Sequence, residues 1–350
     1  MSRSGSAAEK TPVAESELSA LFEDFAKSGK ILLAVSGGPD STALLVLAAK
    51  WRELRGSGPD LVAATIDHRL RSASKSEAKM VAKLAARLGI PHHTLAWKGR
   101  KPITGVQEAA REARFALFSA LAKEVGADLL MTAHTRDDQA ETVLHRMGRG
   151  SGLGGLAGIR RVHRRNGVFI GRPFLDLPKA RLLATLKKLR IPYASDPTNK
   201  DTKYLRARLR KLAPALAKEG IDAANLALMA KRLGRANAAL NRLAEEAAFA
   251  LRTDCAGGRA FEARGFFLMP DELAIRMLRE AIDREGIEGP AELAKVEALF
   301  GALVAATRAG GELKRTLAGA TVTLTEAALV VAAAPPRKAG SGAVKRPRKA

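Results

Sequence analysis

Ser36, Gly37, Gly38, Pro39, Asp40 and Ser41 follow the apolar run 31–35 and precede a stretch with helical period. A strand that feeds a glycine-rich turn and then a helix leaves backbone N–H groups unpaired at the helix start, beside the positive end of its dipole. That combination binds anions, phosphate above all. Two glycines let the backbone approach phosphate oxygens closely. Ser36 and Ser41 add hydroxyl donors, and Asp40 can hold Mg²⁺ against the phosphates. The bland alternative is an ordinary turn with Asp40 or Ser41 as a helix cap. The complete string Ser-Gly-Gly-Pro-Asp-Ser in this setting favours phosphate. It differs from the loop of kinases and GTPases, which carries a lysine for the β- and γ-phosphates.

A second group reads His134-Thr135-Arg136-Asp137-Asp138-Gln139-Ala140-Glu141-Thr142. Asp137 and Glu141 are four residues apart and Asp138 and Glu141 three, so on a helix the three carboxylates lie near one face. Acids in a first helical turn also complement the helix dipole, which is a sufficient account of Asp137 and Asp138 taken alone.

These groups need a scaffold. The apolar runs 31–35, 61–66, 92–95 and 129–133 alternate with helical segments such as 74–88 and 107–125. The alternation predicts an α/β fold, a parallel sheet flanked by helices, with ligands beyond the carboxyl ends of the strands. Asn166-Gly167 between two short β-compatible stretches predicts a hairpin over 162–170. Helices are expected at 15–27, 177–190 and 204–216. The division expected is a disordered 1–14, a catalytic domain 15–217 and a second, mainly helical domain 220–334. The second domain should run as helix to about 308 and close with a strand pair at 311–332. A basic, unstructured tail follows over 335–350.

Composition narrows the partner. Lys and Arg number 59 against 36 Asp and Glu, a formal charge of +23, which implies a polyanion. The tail supplies six of the positive charges, and the chain stays strongly basic without them. Arg160, Arg161, His163, Arg164 and Arg165 are the densest internal patch; they could line a nucleic-acid path or form an exposed ribbon. The single cysteine, Cys255, excludes a disulfide framework and a cysteine-based metal site within one chain. With no membrane span and no signal peptide in the sequence, a cytoplasmic location is expected.

The loop at Ser36 resembles the PP-loop of the ATP pyrophosphatases, which implies ATP cleavage between the α- and β-phosphates. Further strings narrow the resemblance: Asp67-His68-Arg69-Leu70-Arg71, the 134–142 string with Arg149-Gly150-Ser151-Gly152-Leu153-Gly154-Gly155-Leu156, and Glu108-Ala109-Ala110-Arg111-Glu112-Ala113-Arg114-Phe115. Arg172-Pro173-Phe174-Leu175 and Ser195-Asp196-Pro197-Thr198-Asn199 continue it. Over about 30–216 the chain resembles the tRNA(Ile)-lysidine synthetases. It departs from that family at Thr135, where a second histidine is usual, and at Ala207, where an asparagine is usual.

The resemblance implies ATP-dependent ligation of lysine to C2 of the wobble cytidine of an isoleucine tRNA with a CAU anticodon, through an adenylylated cytidine. The product, lysidine, changes codon and amino-acid specificity. By the same resemblance ATP is bound by Ser36, Gly37, Gly38, Pro39, Asp40, Ser41, Asp67, His68 and His134, with Mg²⁺ on Asp40. Asp138 and Glu141 hold the lysine ammonium, Arg206 stabilises charge on the α-phosphate, and Arg111, Arg114, Arg208 and Arg210 contact tRNA. Asp40, Asp138, Glu141 and Arg206 form the implied catalytic set. The partners are that tRNA and free L-lysine, with no membrane and a homodimer left open. A tRNA thiolation enzyme would need sulfur-carrying cysteines, and a small-molecule amide synthetase would not need the charge.

Overall fold

The computed structural model describes residues 9–67, 73–97, 106–194, 205–255 and 257–335. Two compact units divide the chain, Met1–Gly234 and Arg235–Ala350.

The first unit is built on α1 (Glu15–Phe22), β1 (Lys30–Ala34), α2 (Pro39–Arg55), β2 (Asp60–Asp67), α3 (Ala73–Arg87), β3 (His92–Ala96), α4 (Val106–Glu124) and β4 (Leu129–Met131). Then come α5 (Arg136–Met147), the short α6 (Leu153–Leu156), β5 (Val162–Arg165), β6 (Val168–Gly171), α7 (Lys179–Lys188) and α8 (Leu205–Lys218). The strands form one sheet in the order β3-β2-β1-β4-β6-β5. All neighbours pair parallel except β5 with β6.

Its apolar runs are continuous because β1 is buried on both faces. Alternate side chains go to opposite sides. Ile31 and Leu33 join Phe22, Phe25, Trp51, Phe174 and Leu182 in one core, with Phe22 and Trp51 stacked at 5.0 Å. Leu32 joins Ala64, Phe115, Phe118 and Leu130 in the other. The expected hairpin turns on Asn166 and Gly167, both with positive φ (51° and 82°), as a two-residue turn between right-twisted strands requires.

The N-terminal stretch corrects an expectation. Residues 9–14 are ordered against the first core: Val13 is buried, its N–H donates to Thr185 Oγ1 at 2.8 Å, and Arg181 donates to the carbonyls of Thr11 and Pro12. No periodicity announces this, because the segment is held by α7 rather than by any element of its own. Residues 1–8 and 336–350 lie outside the described residues. The helix expected over 15–27 ends at Phe22 and continues as a 3₁₀ turn, Glu23–Phe25.

After the turn at Gly220 (φ +81°), α9 (Ala223–Ala250) runs across the division at residue 234. The second unit holds β7 (Arg252–Thr253), β8 (Arg259–Glu262), α10 (Ala263–Leu268), α11 (Asp271–Glu285), α12 (Leu293–Arg308), β9 (Leu313–Leu317), β10 (Ala320–Leu324) and β11 (Ala328–Ala333). Its strands make an antiparallel sheet in the order β7-β8-β11-β10-β9 over a core that includes Phe261, Phe266, Leu278, Ile282, Val296 and Val331. The expected strand pair is therefore three strands, and β7 and β8 interrupt the stretch expected to be helical. Two and four residues are too few to show alternation; their strand state comes from pairing, β8 onto β11 and β7 onto β8. Among the described residues no helix is long and apolar enough to cross a membrane.

Candidate functional site

The phosphate loop lies between β1 and α2. Gly37 has φ +88°, a conformation that favours glycine, and Gly38 is the N-cap of α2 with Pro39 at its first position. Ser41, which is buried, accepts from Ser36 N–H at 3.1 Å, meets Ser36 Oγ at 3.0 Å and donates to Gly38 C=O at 3.0 Å. Thr42 Oγ1 donates to Gly37 C=O at 3.2 Å, and Ala194 N–H reaches the same carbonyl at 2.8 Å. The loop's shape is thus fixed by its own serines and glycines before any ligand arrives.

Asp40 points into this turn with its side chain 22% exposed. Its Oδ2 accepts from Lys179 Nζ at 2.5 Å, while Oδ1 is buried and has no hydrogen-bond partner among the described residues. Burial raises the carboxyl's pKa, Lys179 opposes the shift, and the negative charges of Asp138 and Asp137 add to it. An unsatisfied, partly desolvated carboxylate oxygen beside an anion-binding loop fits a divalent cation shared with phosphate oxygens. Among the described residues no group of three or more His, Cys, Asp or Glu could hold a metal by itself.

Opposite the loop stands the first turn of α5. Thr135 is its N-cap, and it shares a capping box with Asp138: Thr135 N–H and Oγ1 both donate to Asp138 Oδ2, at 2.8 and 2.9 Å. The departure at residue 135 therefore has a structural use. Both of these bonds go to Oδ2. Asp137 turns away; its Oδ2 accepts from Lys179 N–H at 2.8 Å and caps α7. Of the three carboxylates expected on one face, two serve caps.

Glu141, one turn along, is 14% exposed and forms an ion pair with Arg210 of α8, Nε facing Oε1 and Nη2 at 3.1 Å from Oε2. The Glu141 hydrogen bond, its charge and the charges of Asp138 and Asp40 raise the Arg210 pKa. One guanidinium thus feels the carboxylates of both the loop and α5. Arg208, on the same helix, is exposed. The side chain of Arg206 and all of His68 lie outside the described residues.

Asp67, buried, ends β2, and His134 follows β4. His134 Nδ1 meets Thr132 Oγ1 at 2.9 Å and Arg172 Nε at 3.4 Å. Because arginine can only donate, Nδ1 accepts, and the neutral ring carries its proton on Nε2. Arg172 is 4% exposed; its Nη1 also donates to Arg160 C=O at 2.6 Å and to His163 Nδ1 at 3.0 Å. Burial and Arg111 lower its pKa to about 10, and burial with Arg172 and its neighbours lowers that of His163 to about 4.

Arg111 and Arg114 are exposed on α4. The basic patch at 160–165 is partly tied down: Arg161 pairs with Asp24 at 2.5 Å and Arg165 with Glu112 at 2.5 Å, over the Phe115 ring. The glycine-rich segment after α5 is held against that helix. Gln139 binds both backbone groups of Ile159, and Arg146 donates to the carbonyls of Gly155 and Gly158 at 2.7 and 2.8 Å. A Cβ at Gly158 would meet Gln139 Oε1 at 2.5 Å, which accounts for glycine there.

The sequence singles out neither Lys179 nor Arg146, and it shows Gln139 and Arg172 only as members of longer strings, with no role of their own. Each acts through a partner distant in sequence, and no local spacing signals it.

Comparison with known proteins agrees with this geometry. A family model described as a PP-loop domain matches residues 10–216. A tRNA(Ile)-lysidine synthase of Bradyrhizobium sp. (strain BTAi1) is 48% identical over 95% of this chain and 98% of its own length. One from Rhodopseudomonas palustris is 50% identical over 93% and 96%, and one from Methylobacterium nodulans 49% over 89% and 93%. Among solved structures, a U34-tRNA thiolase of Methanococcus maripaludis with a [4Fe-4S] cluster superposes with a TM-score of 0.55 at 18% identity, covering 63% of this chain and 78% of its own. At that identity the likeness concerns the fold.

Proposed function

This chain belongs to the tRNA(Ile)-lysidine synthases, and from that premise we propose that it ligates free L-lysine to C2 of the wobble cytidine in a CAU anticodon. The energy comes from ATP. The observation that carries the reading is the nearness of two charge systems: a phosphate loop whose Asp40 lacks a partner on Oδ1 among the described residues, and the Asp138–Glu141 carboxylates, both within the field of Arg210.

A pyrimidine carbonyl oxygen is a poor leaving group until it is phosphorylated or adenylylated. In the first step the cytidine O2 attacks the α-phosphate, the O2–P bond forms, and the bond to the β-phosphate breaks. The fixed loop amides and the two serine hydroxyls bind the departing pyrophosphate, a preorganised anion site of the kind that dominates such transfers. Asp40 would hold Mg²⁺, which would neutralise phosphate charge. His134, locked as a donor at Nε2, and Asp67 border the nucleotide. In the second step the lysine amine attacks C2, the C2–O2 bond breaks, and AMP leaves. Asp138 Oδ1 and Glu141 hold the incoming ammonium, and one of them accepts the proton it must lose. Arg206 carries charge on the α-phosphate; Arg111, Arg114 and Arg208 meet the tRNA backbone, drawn by the +23 charge. A cytoplasmic location, where tRNA, ATP and lysine meet, is part of the same proposal.

The test is incorporation of radiolabelled lysine into an isoleucine tRNA whose anticodon begins with cytidine, beside the same tRNA with uridine there. We expect ATP-, Mg²⁺- and tRNA-dependent pyrophosphate release and label in the cytidine form alone. Equal labelling of both, or ATP cleavage without labelling, would overturn the assignment.

A further inference from the structure

The loop at Ser36 has no lysine of its own, whereas the phosphate loop of kinases and GTPases carries one for the β- and γ-phosphates. The fold brings one in from elsewhere. Lys179 is the first residue of α7, 139 positions after Asp40, and its Nζ lies 2.5 Å from Asp40 Oδ2.

Its position is fixed at the backbone. Lys179 N–H is capped by Asp137 Oδ2 at 2.8 Å, Pro178 precedes it, and the next turns of α7 bury Leu182 and Leu186 completely in the core that also holds the start of α2. The residue's Cα is therefore anchored by the same core as the phosphate loop, and only its flexible stem can move.

The bland reading is a structural ion pair that neutralises Asp40. Three features argue for more. First, the pair is incomplete, because Asp40 Oδ1 stays unsatisfied although buried, so Asp40 is built for a second cation and not for Lys179 alone. Second, Lys179 has no other carboxylate partner on its side chain among the described residues, so once a divalent cation takes Asp40 the ammonium is left to solvent or to a bound anion. Third, its side chain is 41% exposed, which leaves it free to swing without disturbing the core. A partly hydrated ammonium on a four-carbon stem is suited to that exchange as a mobile point charge.

We propose that Lys179 is the phosphate lysine of this loop. It rests on Asp40 in the free chain and transfers to the β- or γ-phosphate oxygens when ATP binds, where it stabilises the negative charge of departing pyrophosphate. Asp137 then has an indirect role, as the cap that sets where α7 begins and hence where Lys179 stands. The inference rests on the reading that this loop holds the pyrophosphate portion of ATP.

The experiment compares equilibrium binding of ATP, pyrophosphate and AMP, each with Mg²⁺, to the full-length chain and to Lys179→Met and Lys179→Arg. Contact with the outer phosphates predicts that Lys179→Met weakens ATP and pyrophosphate about ten- to a hundredfold, the scale of a lost charge-assisted bond. AMP should bind within about twofold of wild type, because the missing contact lies beyond the α-phosphate; Lys179→Arg should retain most of the affinity. Equal weakening of ATP and AMP, or no weakening of either, overturns the proposal, as does a change confined to the Mg²⁺ requirement. If Lys179→Met proves unfolded by its thermal transition, Lys179→Gln, similar in length and uncharged, is read by the same criteria. Failure of the wild-type chain to bind ATP or pyrophosphate would instead sink the reading of the loop itself, so the two failures are distinguishable.

Discussion

Two acid–base pairs lie in the first unit, Asp40 with Lys179 and Glu141 with Arg210, and they are built differently. At the nucleotide end, Asp40 sits on a turn fixed by hydrogen bonds among residues 36–42, pairs with Lys179 through one oxygen and leaves the other bare. At the amine end, Glu141 sits on a helix face and meets Arg210 through both oxygens. The first carboxylate keeps one oxygen without a partner among the described residues, whereas the second has both oxygens on its cation. A ligand at the first site therefore completes it, whereas a ligand at the second has to compete with a side chain that resembles it in charge. Under the proposed function, preorganisation at the loop would favour ATP in the absence of other substrates, and competition at Glu141 would make lysine entry depend on what Arg210 does.

The strongest way to break this comparison is Asp40→Asn. It keeps the shape of the turn and removes the charge that a cation needs, so pyrophosphate release should fall by at least about a hundredfold with the thermal transition little changed. Near-full activity would end the assignment of the loop.

Next in size is Glu141→Gln, which removes the charge that holds an ammonium. The lysine KM should rise about ten- to a hundredfold while ATP binding stays near wild type, as expected for a charge-assisted bond in a partly buried site. A matching loss of ATP affinity would mean that the two ends are a single charge system.

Arg210→Met sharpens the contrast because its predicted sign is opposite. Half-exposed ion pairs are weak, so removing the competitor should lower the lysine KM by only about two- to fivefold. A rise would make Arg210 part of the lysine pocket.

The smallest effect is expected at Asp137, the neighbour of Asp138 that turns away. Asp137→Ala removes the α7 cap and should cost about 1 kcal/mol of stability in chemical denaturation, without a direct effect on lysine. A lysine KM shift as large as that of Glu141→Gln would return Asp137 to the amine site.

Much of this was legible in the residues themselves. Asn166-Gly167 specified its turn, and the run 31–35 specified a strand buried on both faces. The glycine pair before Pro39-Asp40-Ser41 specified a phosphate loop, because each of these signals acts over a few residues. Spacing on α5 was less informative. It put Asp137, Asp138 and Glu141 near one face, but capping requirements at two helix ends drew Asp137 and one oxygen of Asp138 out of that set. The second unit shows the same limit in its fold: β8 exists because β11 offers an edge and β7 because β8 does, and their own residues carry no alternation.

By itself, then, the sequence determined the anion loop, the alternating α/β scaffold and the basic charge that a nucleic-acid substrate requires, since composition and short-range backbone preference suffice for each. Tertiary structure alone decided the partners of the charged groups. Lys179 reaches Asp40 from 139 residues away and Arg210 reaches Glu141 from 69, and Arg172 orients both His134 and His163. The physical reason is that a long, flexible cation can pair with any carboxylate the fold brings within reach, and only the packing of α7 and α8 selects which one that is.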